Sequence, residues 1–320
     1  MILVTGGFGF IGSHTVRAFL DAGEDCVVTQ HSARPVPYIL QSELGSSLHA
    51  EHVDLTDGDE LLALGDRYPI SGVVHLADPA VAQIMNSLSS TSRPRFSQLL
   101  VGLGNVLDAS MAWGVARATI ASTIGVYAET GDGPWGEDRR LPLASVHGIP
   151  AMKKIAETLG SFAAAHGGLG AVFVRPSFIW GPGARPASFI SPLPELAHAA
   201  VRGTQSFPSG QYFAEDAADI CYVKDCAKAL ALLQLAPTLN HSTYNIGGGG
   251  PITNAEIVES IRSVVPDFTA TLSSGSSLEQ PSSAFLDLTR LYDDTGYQAD
   301  YGFNAGMTDY VGWLRDGHGR

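Results

Sequence analysis

Basic residues are scarce in this chain. Lysine and arginine together number 19 against 32 aspartates and glutamates, leaving a formal charge of -13. That balance argues against a nucleic-acid or anionic-membrane surface, although a local basic pocket is still compatible with it. No apolar run is long enough to cross a bilayer, and Met1 leads straight into a predicted strand with no room for a signal peptide. The expected location is cytoplasmic. Cysteine is rare too: Cys26, Cys221 and Cys226 make an odd count without metal-type or redox-pair spacing, and they read as core thiols. The histidines form no HxxxH or HExxH pair, so no metal site is predicted. Internal repeats are absent, and the one biased stretch is rich in serine near Ser273.

What is present begins at the first residues. With 320 residues the chain suits a large α/β domain, or one domain with a smaller appendage. It opens Ile2-Leu3-Val4-Thr5-Gly6-Gly7-Phe8-Gly9-Phe10-Ile11-Gly12. Three apolar residues suit a buried parallel strand, and the glycines after them permit a tight turn that brings backbone N–H groups close to a ligand. Ile11, Thr15, Val16, Phe19 and Leu20 then recur at helical spacing. A helix starting there presents its N–H groups and dipole to a pyrophosphate, with Gly9 allowing close approach and Gly12 allowing helix and strand to pack together. Strand, turn and helix in that order are the context that makes a glycine pattern informative.

The rest continues in alternation. Cys26-Val27-Val28-Thr29 predicts a second strand, with Gln30 at its tip where an acidic residue would bind ribose hydroxyls and repel a 2′-phosphate. A neutral Gln30 followed by His31, Ser32 and Arg34 is compatible with NADP, because arginine matches phosphate geometry, unless Arg34 points away into solvent. His52-Val53-Asp54-Leu55-Thr56-Asp57 predicts a third strand whose end, Asp54 and Leu55, can hold an adenine ring; Asp54 is equally a helix N-cap candidate. Val73-Val74-His75-Leu76-Ala77 is a fourth strand in which His75 reads as a core histidine. Residues 95–112 predict a helix with a wide apolar stripe, one side of which suits a partner subunit. Thr119-Ile120-Ala121-Ser122-Thr123 ends in hydroxyl residues at the carboxyl edge, where doubly wound sheets hold ligands. Pro150 suits the first turn of a helix carrying Met152, Lys153, Ile155, Ala156 and Leu159, and Val172-Phe173-Val174-Arg175-Pro176 is a sixth strand. After Gly181-Pro182-Gly183 the pattern is irregular, as for a substrate-capping region. A helix from Tyr222 through Leu233, a strand at Tyr244-Asn245-Ile246 and a helix over 254–264 follow.

Taken together the chain resembles the extended short-chain dehydrogenase/reductases, the NAD(P)-dependent epimerase/dehydratase family, over almost its whole length. The resemblance is carried by residues 5–12, Asp54-Leu55, His75-Leu76-Ala77, Ser122-Thr123 with Val126-Tyr127, Lys153 with Glu157, Arg175-Pro176, 181–183, 222–225 and 244–247. It implies an α/β fold: a Rossmann-type doubly wound parallel sheet over 1–180, with 220–246 returning to it, and a small discontinuous capping region from 181–219 and 247–320. It also implies a bound NAD(P), to which Gln30 and Arg34 add a slight lean to NADP, a small-molecule substrate and a homodimer through the helices near Leu100 and Ile155. The coenzyme contacts it implies are Gly6, Gly9, Phe10, Ile11, Gly12, Gln30, Arg34, Asp54, Leu55, Leu76, Ala77, Lys153, Pro176 and Ser177.

Family chemistry uses a hydroxyl residue, a tyrosine and a lysine four positions later: the tyrosine moves the substrate proton, and the ammonium lowers its pKa and holds the nicotinamide ribose. Thr123 and Lys153 fit the first and last. Ile149 stands where the tyrosine should be, and Leu99 where the family has Asn. Three explanations compete. His147 or Tyr127 substitutes; Lys153 and Thr123 work with a water; or the protein binds the coenzyme without turning it over. Phe178 and Ala218 stand where sugar-nucleotide enzymes carry Asn and a phosphate-gripping Arg, and Asp216 and Asp219 lie nearby. With Phe189, Phe207, Tyr212 and Phe213 in the cap, which are equally its own core, the expected function is that of an NAD(P)-dependent oxidoreductase acting on a small, neutral, non-nucleotide secondary alcohol or ketone. The alternatives are an epimerase or dehydratase that retains its coenzyme, and a silent binder.

Overall fold

The first strand, β1 (Ile2–Thr5), is buried at every residue, as expected of an apolar run covered on both faces. Around it the computed structural model, which describes residues 1–31, 34–77, 96–145 (of 96–99 the backbone alone), 147–186, 191–204, 212–277 and 284–318, forms a seven-stranded sheet. Its other strands are β2 (Cys26–Gln30), β3 (Leu48–His52), β4 (Gly72–His75), β5 (Arg117–Ala121), β6 (Gly170–Pro176) and β9 (Thr243–Ile246). They run in the order β3-β2-β1-β4-β5-β6-β9, every pair parallel. The expected doubly wound Rossmann-type sheet is what forms.

Alternation along the strands sends neighbouring residues to opposite layers. Leu3, Val27, Val73, Ala118, Ile120 and Phe173 pack with Leu103, Val106 and Leu107 of the Phe96–Ala112 helix, and against Ala156 and Leu159 of the Gly148–Gly167 helix. Ile2, Val4, Cys26, Val28 and Val74 pack on the other side with Val16 and Phe19 of the Phe10–Asp21 helix. Val172, Val174 and Tyr244 meet Leu230 and Leu233 of the Val223–Leu235 helix on that side. Each such aliphatic or aromatic side chain contributes about 1.5–3 kcal/mol on burial.

Between β1 and β4 the chain order reverses, which opens a crevice at the carboxyl ends of these two strands. Past β6 a second, three-stranded sheet forms from β7 (Phe178–Trp180), β8 (Ala217–Tyr222) and β10 (Pro251–Thr253), in the order β10-β8-β7. It carries its own core of Trp180, Leu193, Leu196, Ile220, Tyr222, Ile257, Ile261, Met307 and Tyr310. The helices Leu193–Arg202, Asn254–Val264 and Phe303–Trp313 contribute to it.

Three of the strand boundaries that differ from expectation bear on the site. The third strand lies at Leu48–His52, not 52–57. Asp54 is instead folded into a local turn, its Oδ1 accepting from the Thr56 amide at 2.9 Å and hydroxyl at 2.8 Å. Asp57, not Asp54, caps the Gly58–Leu62 helix by accepting from the Glu60 amide. The fourth strand stops at His75 and the fifth at Ala121, so that Leu76, Ala77, Ser122 and Thr123 all stand just beyond strand ends. The three cysteines are buried and free. No helix among the described residues is long and apolar enough to cross a membrane.

Candidate active site

The crevice is built first by what glycine leaves out. Gly6 has a φ of +72°, and a Cβ there would lie 3.0 Å from the Ala77 backbone. A Cβ on Gly12 would stand 2.2 Å from the Gly6 carbonyl oxygen, a clash no side chain can relieve. The Gly9 amide donates to that carbonyl at 2.8 Å, closing the turn. Gly9 is then the N-cap of the Phe10–Asp21 helix, with no side-chain cap and no acidic residue in the first turn. A helix start left without a protein acceptor or a competing carboxylate holds its positive end for an anion. The cradle therefore fits the pyrophosphate of a dinucleotide.

The flanking positions assemble around it. The Ala77 amide donates to Thr5 Oγ1 at 3.2 Å and the Leu76 amide to Thr5 O, so 76–77 lie against the glycine turn. His75 Nδ1 is 2.8 Å from Thr5 Oγ1, a histidine held in the sheet as expected. At the tip of β2, Gln30 Oε1 accepts from the Arg34 amide at 3.2 Å, and the Arg34 side chain is exposed. Asp54, half-exposed, has its carboxyl held below the usual range chiefly by the Thr56 amide. The Leu55 carbonyl is fixed by Asn105 Nδ2 at 2.8 Å. Pro176 ends β6 in register with Ile246, and the Ser177 amide donates to Ile246 O.

The catalytic candidates lie beyond β5. Thr123, half-buried, caps the short 3-10 turn Ile124–Tyr127, its Oγ1 accepting from the Gly125 amide at 3.2 Å. That turn touches the start of the Gly148–Gly167 helix: a Cβ on Gly125 would meet Pro150 Cγ at 3.0 Å. The helix thus begins at the carboxyl edge with His147 as its exposed N-cap residue, then Ile149 and Lys153, both half-buried. Neighbouring Lys154 is committed elsewhere, donating to the Pro142 and Ala144 carbonyls and to Ser145 Oγ.

One expectation is corrected here. Tyr127 lies just past the end of β5, as expected, but it is not placed to substitute as a proton carrier. It is fully buried, donates to Asn245 Oδ1 at 2.9 Å and accepts from Arg175 Nη1 at 2.7 Å. Burial raises its pKa, so it stays a neutral structural phenol. Asp216 and Asp219, read as discouraging an anionic substrate, both accept from neutral donors, and those of Ser276 and Ser277 keep Asp216 charged. Asp216 accepts from Ser276 and Ser277, while buried Asp219 accepts from the Gly248 and Leu286 amides. Phe189 and Phe207 lie outside the described residues, as does the side chain of Leu99. Tyr212 donates to Glu195 Oε2 at 2.8 Å, a contact within the cap's own polar framework.

Sequence reasoning passed over the polar group beneath the site. Arg175, 4% exposed, donates from Nε and Nη2 to the two oxygens of Glu157 at 2.9 and 2.6 Å, and from Nη1 to Tyr127. Ser122 Oγ donates to the same Glu157 at 2.5 Å. Asn245 continues the set, its amide donating to Glu137 Oε1 and its side chain to the Trp135 and Asp287 carbonyls. The signal was a buried-strand arginine facing a helix glutamate, and neither is tolerated in a core unless paired.

With that geometry in place, the family description "NAD dependent epimerase/dehydratase family" matches residues 2–247. The chain belongs to this family of NAD-dependent enzymes. Among curated relatives it is 28% identical over 317 residues to the low-salt glycan biosynthesis protein Agl12 of Haloferax volcanii, covering 98% of this chain and 92% of that protein. It is 26% identical over 314 residues to the UDP-glucose 4-epimerase of Lacticaseibacillus casei, covering 94% and 92%. Among solved structures, MoeE5 in complex with UDP-glucuronic acid and NAD superposes with a TM-score of 0.77 at 27% identity, covering 99% of both chains.

Proposed function

We propose that the protein is an epimerase or dehydratase that retains its nicotinamide coenzyme and acts at an alcohol carbon of a sugar nucleotide. The observation that carries this reading is the uncapped helix start at Gly9, set in a glycine turn that side chains at Gly6 and Gly12 would obstruct. The relatives named above favour a sugar nucleotide over the small neutral ketone first expected.

In this reading Gly6, Gly9, Phe10, Ile11 and Gly12 hold the pyrophosphate, Gln30 and Arg34 the adenosine ribose, and Asp54 and Leu55 the adenine. Leu76, Ala77, Pro176 and Ser177 line the path to the nicotinamide end. Lys153 holds the nicotinamide ribose, and Thr123 orients the substrate oxygen. His147 takes or returns the proton that the tyrosine would carry, either directly or through water. A bound nicotinamide would supply hydride exchange at the same carbon. A neutral Gln30 does not repel a 2′-phosphate, so NADP is included beside NAD; the exposed Arg34 adds nothing to that choice. A homodimer through the outward faces near Leu100 and Ile155, 41% and 42% exposed, belongs to the same proposal.

A second reading is favoured by Ile149 and by the burial of Tyr127: a protein that binds the coenzyme and leaves it unreacted. One experiment separates these readings. The protein is incubated with NAD⁺ and a panel of UDP- and dTDP-sugars, and products are resolved by chromatography while nicotinamide absorbance is followed. An altered sugar without net absorbance change supports the epimerase or dehydratase. Net absorbance change supports a dehydrogenase, and unchanged sugars with bound coenzyme support the binder.

A further inference from the structure

The Gly148–Gly167 helix presents one stripe to the sheet. Gly160 lies so close to the Phe173 ring that a Cβ would be 2.8 Å from it, which fixes the helix face directed at β6. Three or four residues toward the helix start on that face come Glu157, then Lys153, then Ile149. Glu157, 13% exposed at its side chain, is held from two strands at once: by both arms of Arg175 from β6, and by Ser122 Oγ from the end of β5. Ser122 is the residue before Thr123, and its own amide is anchored to Val174 O at 2.7 Å. A two-armed guanidinium contact restricts rotation as well as distance. The helix can therefore neither slide nor roll against β5 without breaking charged, buried hydrogen bonds.

We propose that Ser122 and Glu157 are positioning residues for Lys153, fixing its height above the sheet edge relative to Thr123. This rests on the reading of Lys153 as the group that holds the nicotinamide ribose. It assigns the two residues no contact with coenzyme or substrate; their effect passes entirely through the lysine.

A double-mutant cycle tests it, read as the dissociation constant of NAD⁺ by calorimetry. Ser122→Ala removes one hydrogen bond and leaves the Arg175–Glu157 pair intact. Glu157→Asp withdraws the carboxylate from Ser122 while keeping a counter-ion for Arg175. Each is expected to weaken NAD⁺ binding by about fivefold, the size of one ordinary hydrogen bond. In a Lys153→Ala background the same changes are expected to alter affinity by less than about 1.5-fold, since their route is already removed. Equal losses in both backgrounds would mean general packing and overturn the proposal, as would no loss in the parent. Unchanged affinity in Lys153→Ala alone overturns the lysine's assigned role, a failure visible separately from the other two.

Discussion

His14 Nε2 donates to the Pro182 carbonyl at 2.9 Å, joining the Phe10–Asp21 helix to the Gly181–Gly183 turn. The ring of Phe10, at the start of the same helix, meets His14 edge-on at 6.4 Å and lies 3.5 Å from where a Gly183 Cβ would be. The glycine turn and the entrance to the second core are thus fixed to one another. Burial lowers the His14 pKa to about 4, against the Pro182 hydrogen bond, which raises it; near neutral pH the ring is therefore uncharged, with its one proton on Nε2.

The pH dependence follows from that depression. Above about pH 6.5 the ring is neutral in both folded and unfolded chains and contributes no slope. As pH falls from 6.5 toward 4 the unfolded chain takes up the proton and the folded one does not, so stability declines. The expected loss from this group is about 2–3 kcal/mol by pH 4.5. His14→Gln retains a donor near Nε2 without the titration. Urea unfolding at pH 7 and pH 4.5 should show a smaller drop for the variant by that amount.

Arg175 and Glu157 form a pair whose side chains are 5% and 13% exposed, so removing one partner strands the other in a dry place. Arg175→Met is expected to cost about 3–5 kcal/mol of unfolding free energy. Arg17→Ala, which breaks pairs with Asp21 and Glu43 at the surface, should cost less than about 1 kcal/mol. Urea midpoints of the two variants measure the contrast.

Gly12→Ala places a methyl 2.2 Å from the Gly6 oxygen and 2.9 Å from Gly7 Cα. The turn must open to admit it. We expect a stability loss of about 1–3 kcal/mol, and a fall in NAD⁺ affinity of at least about tenfold, the equivalent of 1.4 kcal/mol, measured by fluorescence titration with the reduced coenzyme as competitor.

At Ile149 the helix offers a half-buried place one turn from Lys153 and nothing to move a proton. Ile149→Tyr should raise turnover of a sugar-nucleotide substrate by about a hundredfold or more if proton transfer limits the native rate. In the parent, His147→Ala should lower it by about tenfold or more; an unaffected rate removes His147 from the chemistry. Initial rates by product chromatography report both.

Much of the central sheet was legible because its strands are continuous apolar runs, and Ile2–Thr5 or Gly170–Pro176 cannot be mistaken for surface segments. β3 was misplaced for the opposite reason. Leu48-His49-Ala50-Glu51-His52 is an edge strand with one fully buried residue, while the more suggestive Asp54–Asp57 stretch satisfies its own polar groups in a turn and a cap. The three-stranded sheet escaped notice because β7 and β10 have three residues each, too few for periodicity to show. At the site, glycine spacing revealed the cradle because each glycine answers a steric demand. The Ser122–Glu157–Arg175 set was hidden because its members lie far apart in the chain, and only the packed helix brings them within reach.

The central claim is that a nicotinamide dinucleotide lies across the carboxyl edge of the sheet, anchored where Gly9 becomes Phe10. Calorimetric titration of the purified chain with NAD⁺, NADH, NADP⁺ and NADPH tests it most directly. The account predicts saturable binding of at least one of them at one site per chain, weakened by Gly12→Ala. Absence of any heat of association with all four, over a range of temperatures, from a chain whose denatured extract releases no nicotinamide coenzyme would contradict it.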